Sequence, residues 1–116
     1  MVVRSRFPLS DADIDRMFHA LADSTRRDIV RRTLLEPISV SDLAAAYDMS
    51  FAAVQKHVAV LEGARLVTKQ TRGRQRLVQG DLERIKAAGR LLDSFEDIWR
   101  SRIDRLDDLL AHDDHL

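Results

Sequence analysis

Cysteine is absent from this sequence of 116 residues. That excludes disulfides, thiolate metal sites and cysteine nucleophiles together, and it leaves the redox compartment open. Aromatic side chains are scarce, at 5%, so the core must be aliphatic and helix-like in character. No apolar run approaches the ~20 residues that span a bilayer, and no membrane partner is expected. The opening stretch MVVRSRFPLS lacks the apolar segment of a secretory signal, which makes a cytoplasmic protein the expectation. Net charge is missing as well, because 19 basic side chains balance 19 acidic ones.

What is present describes an ordinary globular chain, 45% hydrophobic and 33% charged. The length suffices for one modest core and not for two. The zero net charge conceals an asymmetry. Residues 1–50 carry a net −1 and residues 81–116 a net −4, whereas residues 51–80 carry +5. In that middle block Lys56, Arg65, Lys69, Arg72, Arg74 and Arg76 face only Glu62. A basic band on a neutral protein points to a local surface for a polyanion.

Cap chemistry and periodicity divide the chain into an N-terminal arm (1–9), a core (10–80) and a C-terminal helix with an acidic tail (81–116). Ser10 can cap a first helix whose Ile14, Met17, Phe18 and Leu21 form one apolar stripe. Asp23 can cap a second helix, STRRDIVRRTLL, with Ile29, Val30, Leu34 and Leu35 inward and its arginines outward; Pro37 blocks simple continuation. Ser39-Val40-Ser41-Asp42 reads as a variant capping box opening a short third helix, VSDLAAAY. After the turn Asp48-Met49-Ser50, Ser50 caps a fourth helix.

Two short helices joined by a tight turn are a helix-turn-helix candidate. On the fourth helix Val54, His57, Val58 and Leu61 form the inward stripe, with His57 expected as a packed, hydrogen-bonded residue. The opposite face carries Ala52, Gln55, Lys56 and Ala59, with Phe51 at its edge. Small residues let a helix sink into a groove, Gln can bond an adenine edge, and Lys can reach guanine or phosphate. The segment LVTKQ-TRG-RQRLVQ then predicts two strands around a basic tip, so the fold expected is a winged helix whose wing cations contact phosphates or the minor groove.

From Asp81 onward Ile85, Ala88, Leu92, Phe95, Trp99, Ile103, Leu106 and Leu110 follow three-to-four spacing, close to a coiled-coil seam. Gly89 marks a kink, a break or a close-packing point. So much apolar surface predicts a subunit interface involving Phe18, Leu92, Phe95, Trp99, Ile103 and Leu106. His112 and His115, separated by two aspartates, have the spacing of half a zinc site, but a chain end frays and no metal is expected. The acidic residues of this helix alternate with arginines, and no Gly-rich phosphate loop or nucleophile–base set accompanies them, which argues against an enzyme.

Three stretches, FHALADSTRRDIV, ISVSDLAAAYDMSFAAVQKHVAVLEGARLV and TRGRQRLV, together resemble the ArsR-type (arsenical-resistance or SmtB-like) family of bacterial winged-helix repressors. The C-terminal helix is similar to that of the branch that does not sense metals. The resemblance implies a mainly α fold with a small β-hairpin, in the order α-α-α-α-β-β-α. It implies a homodimeric transcriptional repressor whose fourth helices read an inverted-repeat operator in double-stranded DNA, with no cofactor and with an effector, if any, of unknown identity. By position the DNA-facing residues are Ser50, Phe51, Ala52, Gln55 and Lys56, with Arg72 and Arg74 in the wing; Ala59 and Lys69 complete the set. Ser39 and Ser41 stand where metal-sensing members carry Cys-x-Cys, and hydroxyls do not replace thiolates for soft metals. Arg65 stands where members usually have the glycine that ends the recognition helix, so either Arg65 accepts a left-handed backbone or the helix ends differently. Two competing readings are a winged helix that binds a protein instead of DNA, and a repressor responding to metal through His112 and His115.

Overall fold

The structure, a computed structural model, describes residues 9–113. Helix α1 spans Asp11–Leu21 and α2 spans Ser24–Leu35; β1 is the short strand Ile38–Ser39. Helix α3 covers Val40–Ala45 and α4 Phe51–Gly63, followed by β2 (Val67–Arg72), β3 (Gln75–Gly80) and α5 (Leu82–Asp113). The mainly α winged helix-turn-helix is therefore present, with one addition. Ile38 and Ser39 pair antiparallel with Val78 and Leu77, so the sheet has three strands in the order β1-β3-β2 rather than a hairpin's two.

Each of the first four helices begins at a side-chain cap. The side chains of Ser10, Asp23, Ser39 and Ser50 accept the backbone N–H groups of Asp13, Arg26, Asp42 and Ala53, three residues on. These bonds satisfy donors that the first turn of a helix leaves free. The reciprocal capping box forms at Ser10, where the Asp13 carboxylate accepts the Ser10 N–H. At Ser39 only the forward bond forms.

Met17 and Ala20 of α1, Ile29 and Val30 of α2, Leu43 of α3, and Val54, Val58 and Leu61 of α4 close one aliphatic core over Leu66, Val67 and Val78. The expected inward positions of Leu34 and Leu35 are not observed. Leu35 is 75% exposed and Leu34 also faces out, while Thr33 is buried with its hydroxyl donating to the Ile29 carbonyl at 2.8 Å. That bond lets a polar side chain take a core position without leaving a donor unpaired. Leu34 instead lies against Gly80, where an added Cβ would meet its side chain at 2.8 Å.

The arginines of α2 are not uniformly outward either. Arg26 turns back so that its Nε donates to the Ala20 carbonyl at 2.7 Å, and Arg27 donates to the Leu21 carbonyl at 2.7 Å. Both satisfy carbonyls that the end of α1 leaves free. Arg26 also donates to His57 Nδ1 at 3.3 Å, so half-buried His57 is hydrogen-bonded through its unprotonated ring nitrogen.

Helix α4 ends in the first of the two ways open to it. Arg65 has φ 61°, its N–H bonds the Glu62 carbonyl at 3.0 Å, and the Leu66 N–H bonds the Leu61 carbonyl at 3.0 Å. This is the Schellman pattern, with a non-glycine residue in the left-handed position. Relieving that conformation by Arg65→Gly is expected to raise stability by about 1 kcal/mol, read as a shifted urea midpoint at unchanged slope. A lower midpoint would show that the Arg65 side chain contributes more than its backbone costs.

Candidate nucleic-acid interface

Helix α4 packs on α1, α2, α3 and β2 through Val54, Val58 and Leu61, all fully buried. That anchoring fixes the opposite face outward. Ser50, Phe51, Ala52, Gln55, Lys56 and Ala59 are all exposed, as the helical period predicts. The Ser50 hydroxyl is engaged with the Ala53 N–H at 3.1 Å and serves the helix start.

The wing is the hairpin β2–β3, in register from Val67↔Gly80 to Arg72↔Gln75. Its two-residue tip is Gly73-Arg74, with Gly73 at φ 60° in the place where a type II′ turn needs glycine. Arg72 and Arg74 are exposed, and among the described residues neither they nor Lys56 nor Arg76 takes part in an ion pair. Lys69 differs. Its ammonium lies 3.7 Å from the Glu62 carboxylate and is largely covered, so it ties the hairpin to the end of α4.

Between α4 and the wing lies an open cleft of about 420 Å³, lined by Ser39, Ser41 and Asp42 at the start of α3, Phe51 and Gln55 of α4, and Lys69, Arg74, Gln75 and Arg76 of the hairpin. The sequence counts Arg76 in the basic band but gives neither it nor Gln75 a place among the DNA-facing residues. Strand alternation gives the missing signal, since the register pairs Arg76 with Thr71 while the neighbouring Leu77 is partly covered.

A second network sets the helix-turn-helix on the core. The Asp28 carboxylate of α2 accepts the Tyr47 hydroxyl at 2.5 Å, Arg32 Nε at 2.7 Å and an Arg31 N–H at 2.6 Å. The Arg32 guanidinium also stands over the Tyr47 ring, 5.5 Å from its centroid. The Tyr47 hydroxyl and the two guanidinium groups hold the Asp28 carboxyl well below the usual carboxylate range. Burial, reinforced by the Asp28 carboxylate, pushes the Tyr47 phenol up to about 12. Helix α3 ends at Ala45, two residues before the expected Tyr47, so Tyr47 sits in the turn between the two helices.

Helix α5 reaches the core only near its start, through Ile85, Ala87 and Ala88. Beyond that it runs unbroken through Gly89, where an added Cβ would meet nothing. Gly89 is thus neither a break nor a close-packing point within the subunit. Leu92, Phe95, Ile98, Trp99, Ile103, Leu106, Leu109 and Leu110 remain exposed, Trp99 at 55% and Phe95 at 58%. Phe18 of α1 is also partly exposed.

The stripe Ala88, Leu92, Phe95, Trp99, Ile103, Leu106, Leu110 advances by 4, 3, 4 and again 4, 3, 4. Its period is eleven residues rather than the heptad of a left-handed coiled coil, and such a repeat favours straight or right-handed helix pairing. A strict heptad from Leu92 would put Arg102 in the seam; instead its guanidinium stands over the Trp99 ring, 5.5 Å from the centroid. His112 is exposed near the end of α5, and His115 lies outside the described residues. Among the described residues no three His, Asp or Glu side chains group as metal ligands.

Comparison with known proteins agrees with this geometry. Residues 21–70 match the family described as a helix-turn-helix domain. The HTH-type transcriptional regulator Rv2034 of Mycobacterium tuberculosis is 42% identical over 81 residues, covering 70% of this chain and 76% of that protein. The crystal structure of the ArsR family transcriptional regulator RHA00566 superposes with a TM-score of 0.73 at 30% identity, over 80% of this chain and 96% of that one. The solution structure of a homodimeric winged helix-turn-helix DNA-binding domain from Mycobacterium bovis shares the fold, with a TM-score of 0.61 at 18% identity over 74% of this chain and 80% of that one. Helix-turn-helix, wing and relatives agree: the chain belongs to the ArsR-type family of winged helix-turn-helix transcriptional regulators, DNA-binding proteins and not enzymes.

Proposed function

We propose that the chain is a repressor that binds an inverted-repeat operator as a homodimer, each subunit placing α4 in one major groove and its wing on the adjacent backbone. The observation that carries this reading is the shared exposed face of α4 and the wing, where Lys56, Arg72, Arg74 and Arg76 lack acidic partners among the described residues. Around a two-fold axis the recognition helices would meet successive grooves ~34 Å apart. The uncovered stripe of α5, with Phe18 beside it, supports self-association, and the Mycobacterium bovis neighbour of the same fold is homodimeric. The chain's own role as repressor, its operator and any small-molecule effector belong to this proposal.

Fluorescence anisotropy of the protein on its own upstream DNA at several salt concentrations tests the reading. Lys56→Ala is expected to weaken binding about tenfold. Arg72→Ala acts on phosphate, so it should lower affinity for every duplex and reduce the salt slope by about 1. Equal affinity of the parent and both variants would remove the α4–wing face from DNA binding.

A further inference from the structure

We propose that Phe51 and Gln55 make each half-site depend on an A·T pair, the Phe51 ring packing on the thymine 5-methyl group and the Gln55 amide bonding the adenine edge. The inference rests on the DNA-reading role of α4 proposed above. Phe51 is the first residue of α4 and is 49% exposed, an unusual place for an aromatic ring in a chain that has few. Residues near the start of a recognition helix are those that reach the base edges. The neighbouring Ser50 hydroxyl is engaged by the Ala53 N–H, while the Gln55 amide makes no hydrogen bond among the described residues, so Phe51 and Gln55, with Lys56 beside them, are free to meet DNA. Ala52 and Ala59 on the same face keep no bulk between the backbone and the groove floor.

Phe51 and Gln55 lie one turn apart, roughly 5–6 Å, within reach of the same or adjacent base pairs stacked ~3.4 Å apart. In the major groove only thymine offers a methyl group, and only adenine offers an N7 acceptor beside an N6 donor. A phenyl ring has no polar atom to return the hydrogen bonds of a G·C edge, so it would desolvate the cytosine N4 donor or guanine O6 acceptor without replacement. The ring therefore favours the methyl and disfavours the alternative.

The test uses the full chain on duplexes selected from a randomised pool. The selected half-site should contain an A·T pair whose thymine, replaced by deoxyuridine, loses only its methyl group. Loss of one buried methyl should weaken binding about fourfold per half-site and roughly fifteenfold when both are changed. Phe51→Ala should bind more weakly and be indifferent to that replacement. Exchanging the adenine for 7-deazaadenine should weaken the parent but not Gln55→Ala. If the parent is insensitive to methyl removal, or Phe51→Ala is as sensitive as the parent, the inference fails while selective DNA binding stands. If no duplex is selected at all, the repressor reading fails with it.

Discussion

On the homodimer proposed above, Trp99→Asp is expected to leave a monomer at micromolar concentration and to lower operator affinity at least a hundredfold. Trp99 sits midway along the stripe from Ala88 to Leu110, where its two eleven-residue repeats meet, flanked by Phe95 and Ile103, and all three are exposed in the isolated subunit. Within that subunit the ring lies outside the buried core and stands beneath the Arg102 guanidinium, so its loss leaves the monomer's core intact. In a two-fold pairing the change is made twice, near the centre of the seam. Truncating a buried Trp costs about 3–5 kcal/mol, and two new carboxylates facing an apolar seam add a desolvation penalty. Even the lower figure, doubled, is about 6 kcal/mol per dimer, or roughly four decades in dissociation constant. A monomer keeps one half-site and forfeits the avidity of the second, typically a factor of 10²–10⁴. Analytical ultracentrifugation and anisotropy on the same samples read both effects, with circular dichroism checking the fold. A variant that stays dimeric would place the subunit interface elsewhere than on α5.

The starts of the helices were legible in the sequence because a cap is a local event. Ser10, Asp23, Ser39 and Ser50 each bond a backbone N–H three residues away, and no distant contact can change that choice. The outward face of α4 was legible for the same reason, since one buried stripe at period 3.6 fixes its opposite. What was hidden depends on partners far along the chain. Strand β1 is two residues long and exists only because β3, some forty residues later, offers it a ladder. Tyr47 looked like the end of α3, but its hydroxyl is drawn to Asp28, nineteen positions earlier. Arg26 and Leu34 exchanged their expected sides because the end of α1 lacked donors and Thr33 could bond its own helix. The ion pair of Lys69 with Glu62 likewise joins two elements, and the helical and strand periods do not announce it.

The second large effect concerns stability and its dependence on pH. Asp28→Ala is expected to cost about 2–3 kcal/mol at pH 7, because it leaves the Tyr47 hydroxyl and the Arg32 guanidinium without their charged acceptor. The Arg31 arm of the network is mostly solvent-exposed and adds little. Since the folded state holds the Asp28 carboxyl below its ordinary 3.8, the stability it contributes is complete above that value and is lost as pH falls below it. The gap between parent and variant should therefore be constant from pH 5 to 8 and close progressively below about pH 4. Tyr47 works in the opposite direction. Its pKa is raised from 10.0 to about 12, so its contribution is complete below 10 and is lost as pH rises toward 12. Tyr47→Phe should abolish that alkaline limb while costing about 1 kcal/mol near neutrality. Urea titrations of the three proteins across pH separate these limbs. Because Tyr47 lies in the turn between α3 and α4, both variants should also bind operator more weakly than their stability at 25 °C alone would explain. Affinity unchanged in a variant that is measurably less stable would mean that Val54, Val58 and Leu61 alone hold the recognition helix in place, with the network serving only the fold.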